Sequence, residues 1–252
     1  MRIFEICFSP TGGTKEVSSI LSSVWEEETI FLDLLKEPVQ DPEFQTEDLC
    51  FISVPSFGGR APEIALQRLG KLQGHGARAV LLVVYGNRDY EDTLLELKDT
   101  VTACGFRCVA GVTAIAEHSI MHQYAQGRPD ETDRKQLKEF AMQILDTVKT
   151  GQWKEMLTVP GNIPYKEYGG VPFKPKAGRS CTRCELCVDA CPVQAIPREN
   201  PDTVDAETCI SCMHCIAVCP NHVRKINKQM VWLAAQKMKK EFQQRKENEL
   251  FL

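Results

Sequence analysis

The chain has 252 residues, of which 43% are hydrophobic and 25% charged, and its formal net charge is −4. This length allows one full-sized domain and a smaller one, with a composition that is ordinary for a globular protein. The acidic balance gives no sign of nucleic-acid binding, and the longest apolar run, residues 79–85, is too short to cross a bilayer. Twelve cysteines without a recognisable secretory signal predict a cytoplasmic protein whose thiols stay reduced and ligate metal.

Strand and helix patterns alternate through residues 1–150. Short apolar runs predict strands, and the segments with helical periodicity between them predict helices. The predicted strands are 2–8, 29–34, 49–54, 79–85 and 107–115, and the predicted helices are 14–25, 62–72, 91–104 and 130–149. This alternation predicts an α/β domain with a five-stranded, doubly wound parallel sheet covered by helices on both faces.

The remaining residues divide into three predicted parts. Residues 151–178 are rich in proline and glycine and predict an ordered linker. Residues 179–226 predict a small α+β domain, and residues 227–252 predict a basic helical tail that packs back onto the body of the protein. The residues predicted to share the buried face of that helix are Met230, Leu233, Lys237 through its stem, and Met238.

Two cysteine runs organise the small domain. Each reads Cys-x2-Cys-x2-Cys-x3-Cys-Pro, and every cysteine of the first run recurs 28 positions later, which indicates an internal duplication. Zinc is usually held by separated Cys-x2-Cys pairs, whereas three closely spaced thiolates with a remote fourth suit the corners of a [4Fe–4S] cubane. A pair of zinc sites and a disulfide knot are the alternatives for the same residues.

This spacing resembles that of bacterial two-cluster ferredoxins. In that family the fourth cysteine of each run ligates the other cluster. The resemblance implies one cluster held by Cys181, Cys184, Cys187 and Cys219, and a second held by Cys209, Cys212, Cys215 and Cys191. Crossed ligation makes the two runs one folding unit, because neither run completes a cluster alone.

A loop rich in glycine and hydroxyl groups follows the first predicted strand. Its sequence is Ser9-Pro10-Thr11-Gly12-Gly13-Thr14, and a predicted helix follows it. The glycine amides, the start of the helix and the three hydroxyls together predict an anion site. The loop has neither the lysine of P-loop nucleotide sites nor a G-x-G-x-x-G fingerprint, so it favours a phosphate monoester.

The same loop resembles the phosphate loop of flavodoxins, [S/T]-x-T-G-x-T. Two further loops, 55–60 and 85–90, follow the third and fourth predicted strands, beside the switch point where such sheets bind ligands. The resemblance implies FMN, with an aromatic side chain (Phe57, Tyr85 or Tyr90) stacked on its ring. The residues expected to bind FMN are Ser9, Thr11, Gly12, Gly13, Thr14, Pro55, Ser56, Phe57, Gly58, Gly59, Tyr85, Gly86, Asn87, Arg88 and Tyr90.

Several other residues have two interpretations. Arg60 and Arg88 either place a cation beside the flavin, which would ease its full reduction, or are solvated or paired with Glu63 and Asp89. His118, after the fifth predicted strand, is a weak catalytic candidate as a proton donor, or else a structural loop histidine. The remaining cysteines, predicted to be small buried apolar residues, are Cys7, Cys50, Cys104 and Cys108.

Together the two resemblances are those of flavodoxin–ferredoxin fusion proteins. They imply FMN and two [4Fe–4S] clusters in an electron-transfer protein with an external redox partner, either a protein or a small molecule. One alternative is a flavin-dependent reductase whose clusters feed electrons to a small substrate at FMN. Another is a binding module in which the clusters serve only to stabilise the fold. Transfer between flavin and clusters is expected either within one chain or across a homodimer.

Overall fold

Strands and helices alternate through the N-terminal part of the chain as the sequence predicts. The computed structural model describes residues 1–39 and 41–252. The strands are β1 (Ile3–Cys7), β2 (Thr29–Asp33), β3 (Leu49–Pro55), β4 (Arg78–Tyr85), β5 (Arg107–Ile115), β6 (Lys176–Ala177), β7 (Arg224–Lys225) and β8 (Glu249–Phe251). The helices are α1 (Gly13–Ser22), α2 (Glu63–Leu69), α3 (Thr93–Ala103), α4 (Glu131–Thr150), α5 (Leu186–Asp189), α6 (His214–Ala217) and α7 (Lys228–Phe242). Within the described ranges, no helix is both long and apolar enough to cross a membrane.

Five parallel strands make up most of the larger sheet, in the order β2-β1-β3-β4-β5. This is the strand order of flavodoxin-like doubly wound sheets. Every residue of β1 is buried, and so are all but the first of β4, because helices cover both faces of the sheet. Large apolar clusters lie on both sides of the sheet, and the predicted α/β fold class is confirmed.

Cysteines outside the two runs belong to this core. Cys7 and Cys50 are fully buried, Cys104 and Cys108 are nearly so, and burial raises the pKa of all four thiols. Protonated thiols in an apolar setting behave as small hydrophobic side chains. Their predicted burial is therefore confirmed.

The sheet has a sixth strand, so the prediction of five strands was wrong at one edge. β8 pairs antiparallel with β5, with Phe251 opposite Gly111 and Glu249 opposite Thr113. Three residues are too few to show strand periodicity, and their pairing depends on the open hydrogen-bonding edge of β5. The end of the predicted tail thus completes the N-terminal sheet.

Helix α7 packs on the body, but mostly through a different face from the predicted one. Met230 and Leu233 are 46% and 61% exposed, and Lys237 is exposed as well. The residues of α7 that pack inward are Val231, Ala234, Ala235 and Met238. The Tyr124 hydroxyl donates to the Ala235 carbonyl at 2.7 Å, so the loop after β5 helps to set the rotation of the helix.

Buried side-chain amides fix the C-terminal tail to the N-terminal domain. Asn87 donates from Nδ2 to the carbonyls of Phe242 and Gln244, both at 2.9 Å. Asn248 accepts from the backbone N–H of Ile115 at 3.1 Å. The end of the chain is therefore held against the loops at the carboxyl edge of the N-terminal sheet.

The segment between α4 and β6 runs along α3 at residues 162–166. The backbone N–H groups of Asn162 and Lys166 donate to the carboxylate of Asp92 at 2.8 and 2.6 Å. The Tyr165 hydroxyl donates to Asp99 at 2.6 Å. A third apolar cluster then joins the linker, the loop after β5, the cysteine-rich unit and α7, with Phe173, Met121, Met213 and Ala235 at its centre.

Candidate cofactor cleft and cysteine cavities

A cleft lies at the carboxyl ends of the central strands, between the sheet and the cysteine-rich unit. The space within it is about 760 Å³, including space open to solvent. One wall comes from the loops after β1, β3, β4 and β5, and the other includes Val171 and residues 210–212. The predicted site residues that line it are Thr11, Gly13, Thr14, Pro55, Ser56, Phe57, Gly58, Tyr85, Gly86 and His118.

The loop after β1 presents unpaired amides to one end of the cleft. Gly12 has a φ of 96°, a left-handed conformation that favours glycine, and α1 starts at the next residue. The hydroxyl of Ser9 accepts from the N–H of Lys15 at 2.9 Å and so fastens the loop. The N–H groups of Gly13 and Thr14 have no acceptor among the residues described. Such free donors at a helix start make an anion site.

The loop after β3 is a tight turn at the rim of the cleft. Phe57 and Arg60 form an antiparallel bridge around Gly58 and Gly59, whose φ angles are 63° and 91°. Both glycines are left-handed, but only Gly58 lines the cleft. A β-carbon on Gly58 would lie 3.0 Å from Cε2 of Tyr168. Tyr168, which no sequence pattern singled out, thus packs against the rim of the cleft.

The loop after β4 divides into two parts. Tyr85 and Gly86 line the cleft, whereas Asn87 and Tyr90 turn their side chains toward the C-terminal tail. The Tyr90 hydroxyl donates to Glu249 at 2.8 Å, and its ring meets that of Tyr85 edge-on with centroids 5.3 Å apart. Of the three aromatic residues predicted to stack on a flavin, Tyr90 therefore lies outside the cleft lining.

Both loop arginines form ion pairs outside the cleft lining. Arg60 donates from Nε and Nη2 to the carboxylate of Glu96 at 2.9 and 2.5 Å. Arg88 donates to both oxygens of Glu91 at 3.0 and 2.9 Å, which lowers the pKa of that carboxyl group. Both arginines are thus paired with carboxylates, as one of the two interpretations predicted, but the partners are Glu96 and Glu91 and not Glu63 and Asp89. Neither charge faces the cleft unpaired.

His118 borders the cleft as a neutral imidazole. Its Nδ1 accepts from the backbone N–H groups of Ile120 and Met121 at 3.1 and 3.2 Å, which leaves the proton on Nε2. Burial lowers its pKa from 6.5 to about 4, so the ring is uncharged at neutral pH. His118 can therefore donate a hydrogen bond from Nε2, but it does not supply a proton as an imidazolium ion.

Four cysteines line each of two cavities in the cysteine-rich unit. The first is lined by Cys181, Cys184, Cys187 and Cys219. The second is lined by Cys191, Cys209, Cys212 and Cys215. Each cavity takes three cysteines from one run and the last cysteine from the other. No three His, Cys, Asp or Glu side chains in the described part of the chain converge on a point where one metal ion could sit.

Left-handed residues recur in both cysteine runs at the same spacing. Arg183 and Glu185 have φ angles of 54° and 61°, and Ser211 and Met213, 28 positions later, have 55° and 64°. None of the four is glycine, so each conformation carries a strain that the surroundings must hold. Successive N–H groups in such turns form concave nests that bind anions, including iron–sulfur centres. The duplication in sequence is thus a duplication in backbone geometry.

Backbone amides also point at individual sulfur atoms. Ala195 donates its N–H to Cys191 Sγ at 3.3 Å, and Ser211 donates to Cys209 Sγ at 3.4 Å. Burial opposes ionisation of Cys219, but the amides of residues 221–224 outweigh it and lower the pKa of that thiol. These donors stabilise thiolates, the form that binds metal.

The second cavity and the cleft share a residue. Cys212 lines both, and its neighbours Ile210 and Ser211 form part of the cleft wall. Nδ1 of His214 lies 2.6 Å from the carbonyl oxygen of Pro10, in the loop after β1. The second cavity therefore adjoins the cleft within one chain, while Cys184 of the first cavity is exposed to solvent.

Comparison with known proteins matches the C-terminal part to an iron–sulfur family. Residues 180–223 match the 4Fe-4S dicluster domain. The thiosulfate reductase electron transfer subunit PhsB of Salmonella typhi is 44% identical over 54 residues, which are 20% of this chain and 28% of that protein. Protein NrfC of Escherichia coli K12 is 34% identical over 76 residues, 28% of this chain and 34% of that protein. The chain thus spans about a third or less of these relatives.

Solved flavodoxins resemble the N-terminal part. A flavodoxin of Streptococcus pneumoniae TIGR4 covers 58% of this chain and is itself covered to 97%, with 14% identity and a TM-score of 0.41. A short-chain flavodoxin associated with a bacterial microcompartment covers 58% of the chain at 15% identity, with a TM-score of 0.40.

The strand order and the family match together define the class of protein. A flavodoxin-like α/β domain is joined in one chain to a 4Fe-4S dicluster domain. The recognition of a flavodoxin–ferredoxin fusion from sequence is thereby confirmed.

Proposed function

We propose that this protein binds FMN in the cleft and two [4Fe–4S] clusters in the cysteine cavities, and passes electrons between them and an external redox partner. The observation that supports this most directly is that Cys212 lines both the cleft and the second cavity. When bound, FMN exchanges electrons singly or in pairs, and each cluster exchanges one. A shared wall brings these two kinds of chemistry together within one chain.

The cleft residues suit FMN in their chemistry. The free amides of Gly13 and Thr14 and the hydroxyls of Thr11 and Thr14 would hold the phosphate. Phe57 offers an aromatic face, and His118 offers an uncharged N–H donor to a polar ring edge. Ser9, Gly12, Gly59, Asn87, Arg88 and Tyr90 would act, if at all, by shaping the loops, because they do not line the cleft.

The cysteine cavities suit crossed ligation. The cavity of Cys191, Cys209, Cys212 and Cys215 would hold the cluster beside the flavin. The cavity of Cys181, Cys184, Cys187 and Cys219 would hold the outer cluster. Electrons would then enter or leave at the solvent-exposed side of the outer cavity, where Leu186 is 49% exposed. PhsB, by its name an electron transfer subunit, is similar to 20% of this chain and supports the same role.

Two cysteine substitutions test the proposal. Cys191→Ala should reduce the iron content from about eight to about four atoms per chain, keep FMN bound, and abolish rapid electron exchange between flavin and iron–sulfur centres. The matched variant Cys219→Ala should lose as much iron but keep that exchange, because it removes the outer cluster. Stopped-flow reduction of anaerobic protein, followed at flavin and cluster wavelengths, measures both outcomes. Exchange that survives Cys191→Ala and disappears in Cys219→Ala would refute the order of the two sites.

One observation favours the reductase alternative. His118 borders the cleft with an Nε2–H that has no acceptor among the described residues, and it could orient a small substrate beside the flavin. Steady-state reduction of small acceptors by the dithionite-reduced protein distinguishes the two functions. Reduced protein freed of excess dithionite gives up only its stored electrons, about four per chain (two from FMN and one from each cluster), if it is a carrier. A reductase supplied with an electron donor turns over repeatedly at a rate that saturates with its acceptor.

A further inference from the structure

Arg224 is a buried cation without a carboxylate partner. Its side chain is 1% exposed and is the largest of the fully buried side chains. The other two buried arginines both pair with acids: Arg128 with Asp133, and Arg68 with Glu37 at 3.9 Å. No carboxylate lies within ion-pair distance of Arg224 in the part of the chain that the structure describes. Burying an uncompensated charge is strongly unfavourable, so a counter-charge is needed.

Backbone carbonyls orient the Arg224 guanidinium but do not neutralise it. Nη1 donates to the Pro201 carbonyl at 2.6 Å, and Nη2 donates to the carbonyls of Thr203 and Pro175 at 2.7 and 3.4 Å. Nε is buried without an acceptor among the described residues. These contacts fix the plane of the guanidinium while its positive charge remains available to other groups.

That charge lies between the two cysteine cavities. Nη1 is 3.6 Å from Sγ of Cys187, a wall of the first cavity that Arg224 also lines. Strand β7, which carries Arg224, packs against α6, which carries Cys215 of the second cavity. The corresponding position in the first half of the duplication, 28 residues earlier, is Ile196, which lines the second cavity. The duplicated unit therefore contains a single such cation, which serves both cavities.

We propose that Arg224 is the resident counter-charge of the two clusters and raises the reduction potential of both. This inference rests on the proposed function, since it requires loaded clusters. Each cluster with its four thiolates is anionic and gains one more negative charge when it accepts an electron from the reductant. A fixed cation favours the more negative reduced state. Arg224 is thus a positioning residue that sets electron affinity.

Redox titration of the whole protein tests this assignment. Arg224→Gln should lower the potential of both clusters, each by at least a tenfold change in its one-electron equilibrium constant, or about 59 mV. The neighbouring exposed lysine gives the control: Lys225→Gln removes one charge from the same strand and should leave both potentials unchanged, because solvent screens it. Arg224→Lys keeps the charge and should shift the potentials less than Arg224→Gln.

Iron and FMN are counted first, and the potentials are then read from the EPR signals of the reduced clusters. Wild-type protein without iron would overturn the proposed function itself. Loaded Arg224→Gln protein with wild-type potentials would overturn the counter-charge alone. If Arg224→Gln loses its iron, retention of iron by Arg224→Lys supports the role of the charge, and equal loss in both variants refutes it in favour of packing.

Discussion

Gly86 is the position where one added methyl group tests the cleft most directly. Its backbone is outside the left-handed region, so alanine is allowed there by conformation. A β-carbon at Gly86 would lie 2.7 Å from Cδ2 of His118 and 2.8 Å from both its Cβ and its Cγ, whereas non-bonded carbons prefer about 3.5–4.0 Å. The imidazole is anchored by two amide donors and packs near Phe242, with ring centroids 5.5 Å apart. Because these contacts hold the imidazole on its other sides, we expect it to move toward the cleft.

Gly86→Ala should therefore push the imidazole into the space proposed for the flavin. Overpacking by a methyl group costs about 1–3 kcal/mol. Without FMN the displaced ring relaxes into the cleft, so most of this cost arises when FMN binds and closes that space. The expected result is FMN affinity weakened by about 5- to 150-fold.

Quenching of flavin fluorescence on titration of the FMN-depleted protein measures this change. Gly169→Ala is the matched control, since no atom lies within 4 Å of a β-carbon at Gly169, and it should bind FMN like the wild type. The double variant Gly86→Ala/His118→Gly should recover much of the lost affinity because it removes all three close atoms of His118, its β-carbon included. Wild-type affinity in Gly86→Ala, or a double variant no better than the single one, would show that the ring does not occupy this part of the cleft.

Two further predictions concern the phosphate loop and His118. Thr11→Ala combined with Thr14→Ala should weaken FMN binding without changing iron content, because each hydroxyl–phosphate bond is charge-assisted and contributes roughly 1.5–3 kcal/mol; unchanged FMN retention would move the phosphate elsewhere. The pKa of His118 lies below its unfolded value, so its contribution to stability is present above pH 6.5 and is lost as pH falls toward about 4, by up to about 3 kcal/mol. Urea unfolding at pH 7.5 and 5 should therefore show a smaller pH effect in His118→Gln than in the wild type, and equal effects would mean that His118 is not buried as a neutral ring.

Local patterns in the sequence contain much of the fold. Each strand from β1 to β5 is an apolar run, and the helices between them show helical periodicity, because burial on a sheet or a helix face repeats with a short, fixed spacing. The spacing of the cysteines predicts the dicluster domain for a similar reason, since a tight loop must bring three thiolates to one centre. The loop Ser9–Thr14 predicts an anion site, because glycine amides, hydroxyl groups and a helix start all offer hydrogen-bond donors to an anion.

Contacts between distant residues were decided only by the tertiary structure. Arg60 pairs with Glu96 and not with the nearer Glu63, because packing of α2 against α3 places that carboxylate beside it. Asn87, predicted to bind FMN, instead holds the tail through carbonyls 155 and 157 positions away. The same holds for β8, whose three residues form a strand only because β5 offers them an edge. Such choices depend on which surfaces meet after folding, and a local pattern does not contain that information.

For the two cysteine cavities as well, some features follow from the sequence and others only from the folded structure. The sequence by itself determined the eight cysteines and the 28-residue duplication, which are local and repetitive. Only the folded chain brought Cys212 to the cleft, left Cys184 exposed and buried Arg224 between the two cavities. The physical reason is that the duplication makes the two halves alike, whereas packing against the sheet, the linker and α7 gives each half different neighbours.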